Sequence, residues 1–400
     1  MTRTSDNIQQ VMPPEIALLV ACARTRLSED DKTLIRSLLN KNLNWHTVFT
    51  NAFYHKVIPL LHRSLTNNFK DLIPAKPLAE LKNSMKLSTI HTMNISASLI
   101  RVVNLLEQNN IKVLPVKGPL LAEKLYGSAN MRGFSDVDIL VNRNDLTNSL
   151  NLLRQNGYQM LPDGIPQSTF LKFLKYYHHG QLLDKTGTLI ELHWELSGFY
   201  APKPMTMDTL EPYLTTTMFN GHCFTALTDE MLFLFLCLHG SKHRWEKLDY
   251  LSSVADLVNI CPFMNWQTIM EVSKKLKMKK RVLLALNLAS SILGSAVPTD
   301  LLIKTNSDPE INNLKKTIIK NELTPKTDNL LMRPTKKQLL YQSQIMDDKL
   351  DAIRFILRWF LVPSHDAWPT MRVPDILYPL YFLRKPYREL TMIFCGKKNR

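Results

Sequence analysis

The segment Asp136-Val137-Asp138-Ile139-Leu140-Val141 constrains this chain more than any other. Two carboxylates, one residue apart, enter an apolar run that reads as a strand. Side chains alternate across a strand with period two, so Asp136 and Asp138 fall on one side of the sheet. Carboxylates held side by side are costly unless a cation lies between them. The usual cation for an oxygen-only site is Mg²⁺, which completes its shell with waters and substrate phosphates. The segment therefore points to metal-assisted chemistry on a phosphate-bearing substrate.

The rest of the chain must supply a scaffold and a counter-charge. At 400 residues it has room for two domains, or for one large domain with a helical extension. The formal charge of +15 would attract nucleotides, nucleic acid or an anionic surface, although it is spread along the chain. The densest run, Lys274, Lys275, Lys277, Lys279, Lys280 and Arg281, reads as a solvated helix face. The five cysteines lie far apart with no CxxC pair, which fits a reducing cytoplasm rather than a disulfide framework. The first residues lack the apolar core of a signal peptide, and the apolar run 231–238 is too short to span a bilayer. A cytoplasmic location is expected.

Residues 1–110 read as an N-terminal helical region, with helical periodicity over 45–65 and again over 81–108. Strands and helices then alternate over 111–228. Strand candidates are 111–116, 136–141, one starting at Tyr158, the hairpin 181–184 with 188–194, and 222–227. From 229 to 400 the chain is helical again, with segments 229–240, 247–259, 266–275, 279–294 and 344–361. Residues 304–336 read as a loop region carrying one helix near 311–320, and the proline-rich end beyond Pro363 as irregular packing around the body. The expected fold is a mixed α/β (α+β) core with a small mixed sheet, flanked by N- and C-terminal helical regions.

Further features add chemistry. Glu191 and His193 share one face of an otherwise apolar strand, and Glu191 supplies a third carboxylate able to bind metal and to take a proton. Glu195 lies on the same alternating face as a substitute. In Val116-Lys117-Gly118-Pro119, a strand end, a glycine and a helix start place free N–H groups where a phosphate can sit. Lys117 adds a point charge there, and Arg132 is a second phosphate candidate. His239 and His243 are four apart on a helix and face one side, as lining of an acceptor pocket or as a polar cluster. With Asp256 they would make a weak zinc candidate, since no HExxH motif is present. Trp194, Trp245 and Trp359 read as core.

The string Leu114-Pro115-Val116-Lys117-Gly118, Leu125-Tyr126, Met131-Arg132, Asp136-Val137-Asp138-Ile139-Leu140-Val141 resembles the uncharacterised nucleotidyltransferase family of the DNA polymerase β superfamily. Glu191-Leu192-His193-Trp194 and His239-Gly240 with Lys242-His243, Trp245, Leu248 and Asp256 match its later motifs. The similarity covers most of the chain. It implies two Mg²⁺ ions, bound by Asp136 and Asp138 with Glu191 as the third carboxylate, and an NTP such as ATP as donor. Lys117-Gly118 replaces the superfamily's Gly-Ser or Gly-Gly loop, a departure shared with the family. The acceptor is left open among an RNA end, a peptide, a sugar and a small molecule. A basic nucleotide- or RNA-binding protein with a degenerate site, and an Asp-x-Asp glycosyltransferase using a nucleotide sugar, are the competing readings. The single strand before the motif argues against the second.

Overall fold

A computed structural model describes residues 12–161, 177–323, 335–362, 380–383 and 386–387. The chain opens with helices. α1 (Pro14–Cys22) is apolar along its length and buried from Ile16 onward. α2 (Glu29–Leu39) begins with a reciprocal cap, in which Ser28 accepts the Asp31 amide and Asp31 accepts the Ser28 amide. α3 (Trp45–Tyr54) and α4 (Ile58–Asn68) divide the periodic stretch that reads as one run over 45–65. Pro59 accounts for the break, because its ring would clash with the His55 carbonyl in a continuous helix. Lys56 absorbs the turn in the left-handed region at φ 58°. The freed His55 groups find distant donors: its Nδ1 accepts the Leu248 amide and its carbonyl the Asp249 amide, both at 3.2 Å.

α5 (Ala75–Glu107) is a 33-residue helix. Ile95, Leu99, Val102, Val103 and Leu106 recur at helical spacing in its second half and pack into one cluster with the sheet. The sheet elements follow as β1 (Val113–Pro115), α6 (Gly118–Tyr126), β2 (Asp136–Val141), α7 (Leu146–Gln155), β3 (Gln159–Leu161), β4 (His179–Leu183) and β5 (Leu189–His193). They form a five-stranded mixed sheet in the order β1-β2-β5-β4-β3. β2 and β5 are parallel, and the other neighbours are antiparallel. Val137, Ile139 and Val141 of β2 join Ile190 and Leu192 of β5 in the cluster that includes α5. The opposite face of the same strands is left to the charged residues.

After α8 (Met207–Leu210), β6 (Leu214–Phe219) and β7 (His222–Leu227) make a separate hairpin. The sequence reading places β7 and leaves out β6. Its pairing signal is Asn220-Gly221, with φ of 49° and 79°, which suits a tight hairpin turn. The four helices expected next are present as α9 (Asp229–Lys242), α10 (Leu248–Ile260), α11 (Trp266–Lys275) and α12 (Lys279–Leu293). Trp194, Trp245 and Trp359 are core residues, as expected.

Two expectations need correction here. Within the loop region expected over 304–336, the helix expected near 311–320 is α14 (Pro309–Glu322), but the stretch before it is helical too, as the end of α13 (Thr299–Ser307); residues 324–334 lie outside the described residues. Pro309 starts α14 instead of interrupting a helix, because Asp308 caps the amides of Glu310 and Ile311 and a first-turn proline loses no bond. Arg281 is not on a solvated face. It is fully buried, and Nη1 donates to Ser241 Oγ at 2.6 Å while Nη2 donates to the Tyr200 carbonyl at 2.6 Å. α15 (Thr335–Ile345) and α16 (Lys349–Leu361) complete the described helices. Most of the proline-rich end lies outside the described residues. No helix among the described residues is long and apolar enough to cross a membrane.

Gly240 is the tightest glycine in the helical flank. A Cβ there would meet the Trp245 ring at 2.3 Å, and Trp245 is itself buried and held at φ 59°. Gly240→Ala should destabilise the fold by about 1–3 kcal/mol through overpacking. Urea denaturation of the variant beside the wild type measures this directly, and an unchanged midpoint would contradict the packing account.

Candidate active site

The parallel register of β2 and β5 sets Asp138 opposite Glu191. Period-two alternation then carries His193 to the same face as Glu191. On the other side of β5, the antiparallel strand β4 sets Gln181 opposite Glu191 and His179 opposite His193. Gln181 Nε2 donates to Glu191 Oε1 at 2.9 Å. The ring of His179 stacks on that of His193 with centroids 5.0 Å apart.

Asp138 is the centre of this face. It is 4% exposed, and each of its oxygens has a cationic or protonatable partner. Lys117 Nζ lies 3.0 Å from Oδ2, and His193 Nε2 lies 3.0 Å from Oδ1. The same His193 nitrogen lies 3.4 Å from Glu191 Oε2. Burial alone would raise the Asp138 pKa, but the Lys117 charge and the His193 bond overcome it and hold the carboxyl at about 2. Burial also opposes ionisation of Glu191, and there the His193 bond with the nearby His179, His193 and Lys117 charges brings the pKa well below the ordinary value. The two carboxylates in turn raise the pKa of His193 and of Lys117 against the burial of both.

Asp136 behaves differently. It shares the face but is only partly buried, and burial with repulsion from Asp138 raises its pKa despite Lys117 and Lys56. The ligand atoms that converge most closely, all within 4.8 Å of one another, belong to Asp138, Glu191 and His193. Asp136 stands outside that group. Two carboxylates and an imidazole at this separation form a chemically suitable donor set for a divalent ion. Glu195 is turned elsewhere and accepts from Ser197 Oγ at 2.6 Å.

Gly118 opens α6 at φ 65°, a left-handed value that glycine adopts without strain, and Pro119 occupies the first turn. The α6 N-terminus therefore starts beside Lys117, which is where backbone N–H groups can meet an anion.

Arg132 does not reach toward the carboxylate face. Its Nη2 donates to Asp249 Oδ2 at 2.6 Å and its Nε to Ser253 Oγ at 3.3 Å, so α10 takes the guanidinium and buries it. His239 and His243 meet Tyr250 in a small ring cluster, with His239 centred 4.9 Å from His243 and 5.0 Å from Tyr250. Burial and the nearby cations Lys117, His243, Lys242 and Arg132 push the His239 pKa well below its ordinary value, which favours a neutral ring. Asp256 is not part of that cluster. It accepts from Thr25 Oγ1 and lies buried on α10, so the three residues do not converge on a metal.

Several residues at this site escape a reading of the sequence. Lys56 Nζ donates to Ser135 Oγ at 3.2 Å and sits close enough to Asp136 to affect its titration. It lies in a turn far upstream, and only the break at Pro59 hints that the residue is special. Gln181 was legible in principle, since the hairpin turn at Lys185-Thr186-Gly187 fixes which β4 residue opposes Glu191; His179, which reads in sequence as a hydrogen-bonded strand end, begins β4. Tyr250 had no local signal.

The mixed sheet, the paired strand carboxylates and the lysine-glycine helix start define a nucleotidyltransferase. Residues 41–294 match the model of a family described as an uncharacterised nucleotidyltransferase, and the chain belongs to that family. No curated protein and no solved structure matches it. Family membership implies an NTP substrate and a divalent metal.

Asp256 offers a test of the α10 packing that backs this site. Burial raises its pKa to about 6, against the opposing hydrogen bond from Thr25. An acid whose folded pKa lies above its unfolded pKa binds more protons when folded. Stability should therefore fall as pH rises from about 4 to about 6 and stay lower above that range. Asp256→Asn should flatten this part of the stability–pH curve, as read by thermal melts at closely spaced pH. An identical slope in the variant would contradict the assignment.

Proposed function

We propose that the protein transfers a nucleoside monophosphate from an NTP, ATP included, to a hydroxyl or other nucleophile, with Mg²⁺ required and pyrophosphate released. The observation that carries this reading is the Asp138–Glu191 pairing across β2 and β5, with Lys117 against it at the start of α6. Asp138 and Glu191, with Asp136 beside them, would hold the divalent ion. When bound, it supplies charge neutralisation at the attacking and leaving oxygens.

The chain's own groups account for the remaining tasks. Lys117 and the Gly118 turn bind the triphosphate, the lysine as a point charge and the helix start through its amides. Glu191 accepts the proton of the attacking hydroxyl. His193 holds the Asp138 and Glu191 carboxylates in their relative orientation through Nε2. His239, kept neutral, and His243 line the acceptor side. Arg132 contributes by position, fixing the lead-in to β2 through Asp249. In this reading residues 111–228 form the catalytic core, and 1–110 and 229–400 are helical regions that shape its two flanks. The net charge of +15 supports an anionic acceptor, such as an RNA end or a phosphorylated small molecule, over a neutral sugar or peptide. A degenerate binding protein is disfavoured, because burying Asp138 and Glu191 without using them would only cost stability. A cytoplasmic setting fits the NTP requirement.

Asp138→Asn keeps the shape of the side chain and removes its charge. It should lower transfer from labelled NTP by about 100-fold or more, equivalent to about 3 kcal/mol of transition-state stabilisation. Lys117→Ala should raise the KM for NTP about tenfold, as expected for one lost charge-assisted contact. Labelled ATP, CTP, GTP and UTP incubated with a cell extract provide the assay, and circular dichroism checks folding. Turnover unchanged in folded Asp138→Asn protein would end this reading.

A further inference from the structure

The carboxylate face contains a nitrogen donor. His193 Nε2 stands 3.0 Å from Asp138 Oδ1 and 3.4 Å from Glu191 Oε2. These are about the spacings between neighbouring ligands of an ion whose bonds are near 2.1 Å, for which an octahedral edge is about 3 Å. Asp136, the carboxylate that would make the set all-oxygen, is not in the converging group.

The imidazole is placed as a ligand would be. Its ring is held by stacking on His179 and is nine-tenths buried. Its other nitrogen, Nδ1, is buried and has no hydrogen-bond partner among the described residues. Which ring nitrogen carries the proton is normally set by the bond the other one makes. In the absence of an ion, Nε2 lies within hydrogen-bond distance of the Asp138 and Glu191 oxygens and bridges them through its proton. A divalent ion would replace that proton between the same three atoms, and Nδ1, with no partner to lose among the described residues, would carry the ring's remaining proton.

We propose that His193 is a direct metal ligand, and that Asp138, Glu191 and His193 form a mixed nitrogen–oxygen site that selects a first-row transition ion, with Mn²⁺ as its probe, over Mg²⁺. Hard oxygen-only sites suit Mg²⁺, whereas an imidazole donor favours the transition series. The inference deepens the nucleotidyl-transfer reading and rests on it only for the ion's purpose. Mg²⁺ can still accompany the nucleotide phosphates, while the protein-held ion differs in kind. The ion site itself stands on the three side chains.

The test uses the full chain without nucleotide. Protein loaded with Mn²⁺ alone is studied by pulsed electron paramagnetic resonance, which detects a directly bound ¹⁴N. The expected result is an imidazole-nitrogen modulation that changes to the ¹⁵N pattern in protein grown on ¹⁵N-histidine. It should disappear in His193→Gln and persist in His179→Gln. Calorimetry should show Mn²⁺ bound at least about tenfold more tightly than Mg²⁺ by the wild type, and that preference lost in His193→Gln. If His193→Gln does not fold, the ¹⁵N-histidine spectrum of the wild type together with His179→Gln still decides the matter. Mn²⁺ binding without nitrogen modulation, modulation retained in His193→Gln, or no binding at all overturns the proposal. Mg²⁺-supported transfer of labelled NTP, measured separately, tells whether the nucleotidyl-transfer reading falls with it.

Discussion

The parallel pairing of β2 with β5 is the contact on which the site depends. Asp138 and Glu191 come from segments far apart in the chain, and only the register brings them level. A slip of one residue would send Glu191 and His193 to the opposite face together. The register is locked from the apolar side. Val137 and Ile139 pack in one cluster with Ile190, Leu192 and the second half of α5, and each is at most 1% exposed. The apolar face thus stabilises a pairing whose other face is electrostatically costly. Lys117 offsets part of that cost by sitting against Asp138, with His193 offsetting more from the far side.

The approach to β2 is fixed just as firmly. Arg132 is tied to Asp249 of α10, the Phe134 carbonyl is bonded to His91 Nε2 of α5 at 3.0 Å, and Ser135 is held by Lys56. At Gly133 a Cβ would come within 3.1 Å of the Lys56 backbone, so the strand lead-in passes the α3–α4 turn as closely as glycine permits. The Arg132–Asp249 pair is buried at both ends, and removing one partner of such a pair costs about 3–5 kcal/mol. This explains why an arginine four residues before the first aspartate packs against α10 and does not point to the carboxylate face. Its position in the sequence is next to the site, but its charge is consumed in closing helix α10 onto the strand.

The sequence told more about the sheet than about its surroundings. Alternation in β2 and β5, together with the hairpin signal between β4 and β5, leads to the carboxylate face, because strand periodicity is a local property. The division of 45–65 into two helices was hidden, since Val57 and Leu60 keep the apolar period across a break set by Pro59 and the left-handed Lys56. Of the loop region expected over 304–336, the helix expected near 311–320 is present as α14, and the stretch before it is also helical, because Asp308-Pro309 is as good a helix start as it is a helix stop. Lys56 and Tyr250 reach the site through tertiary packing. Arg281 belongs to a lysine-rich run by sequence and to the interior by structure, a distinction that composition cannot make.

The two sides of the site are built by different means. The carboxylates are rigid because strands and an apolar face hold them. The rings of His239, His243 and Tyr250 depend instead on how α9 ends. That end has no glycine cap; the chain turns through Arg244 and Trp245, both with positive φ, after Lys242. Carbonyl groups left over at a helix terminus need partners. Gln342 Nε2 donates to the carbonyls of Ser241 and Lys242 at 3.0 Å, and Gln338 Nε2 donates to that of Lys242 at 2.9 Å. Arg281 binds both Ser241 and Gln342, so it joins α9, α12 and α15 at one point. The end of α9 that carries His239 and His243 is therefore tied to α12 and α15, and also, through Lys242 Nζ 3.4 Å from His178 Nε2, to the segment just before β4. The strand lead-in is held from a different helix, α10, through the buried Arg132–Asp249 pair, so the carboxylate face and the ring cluster rest on separate supports among the described contacts.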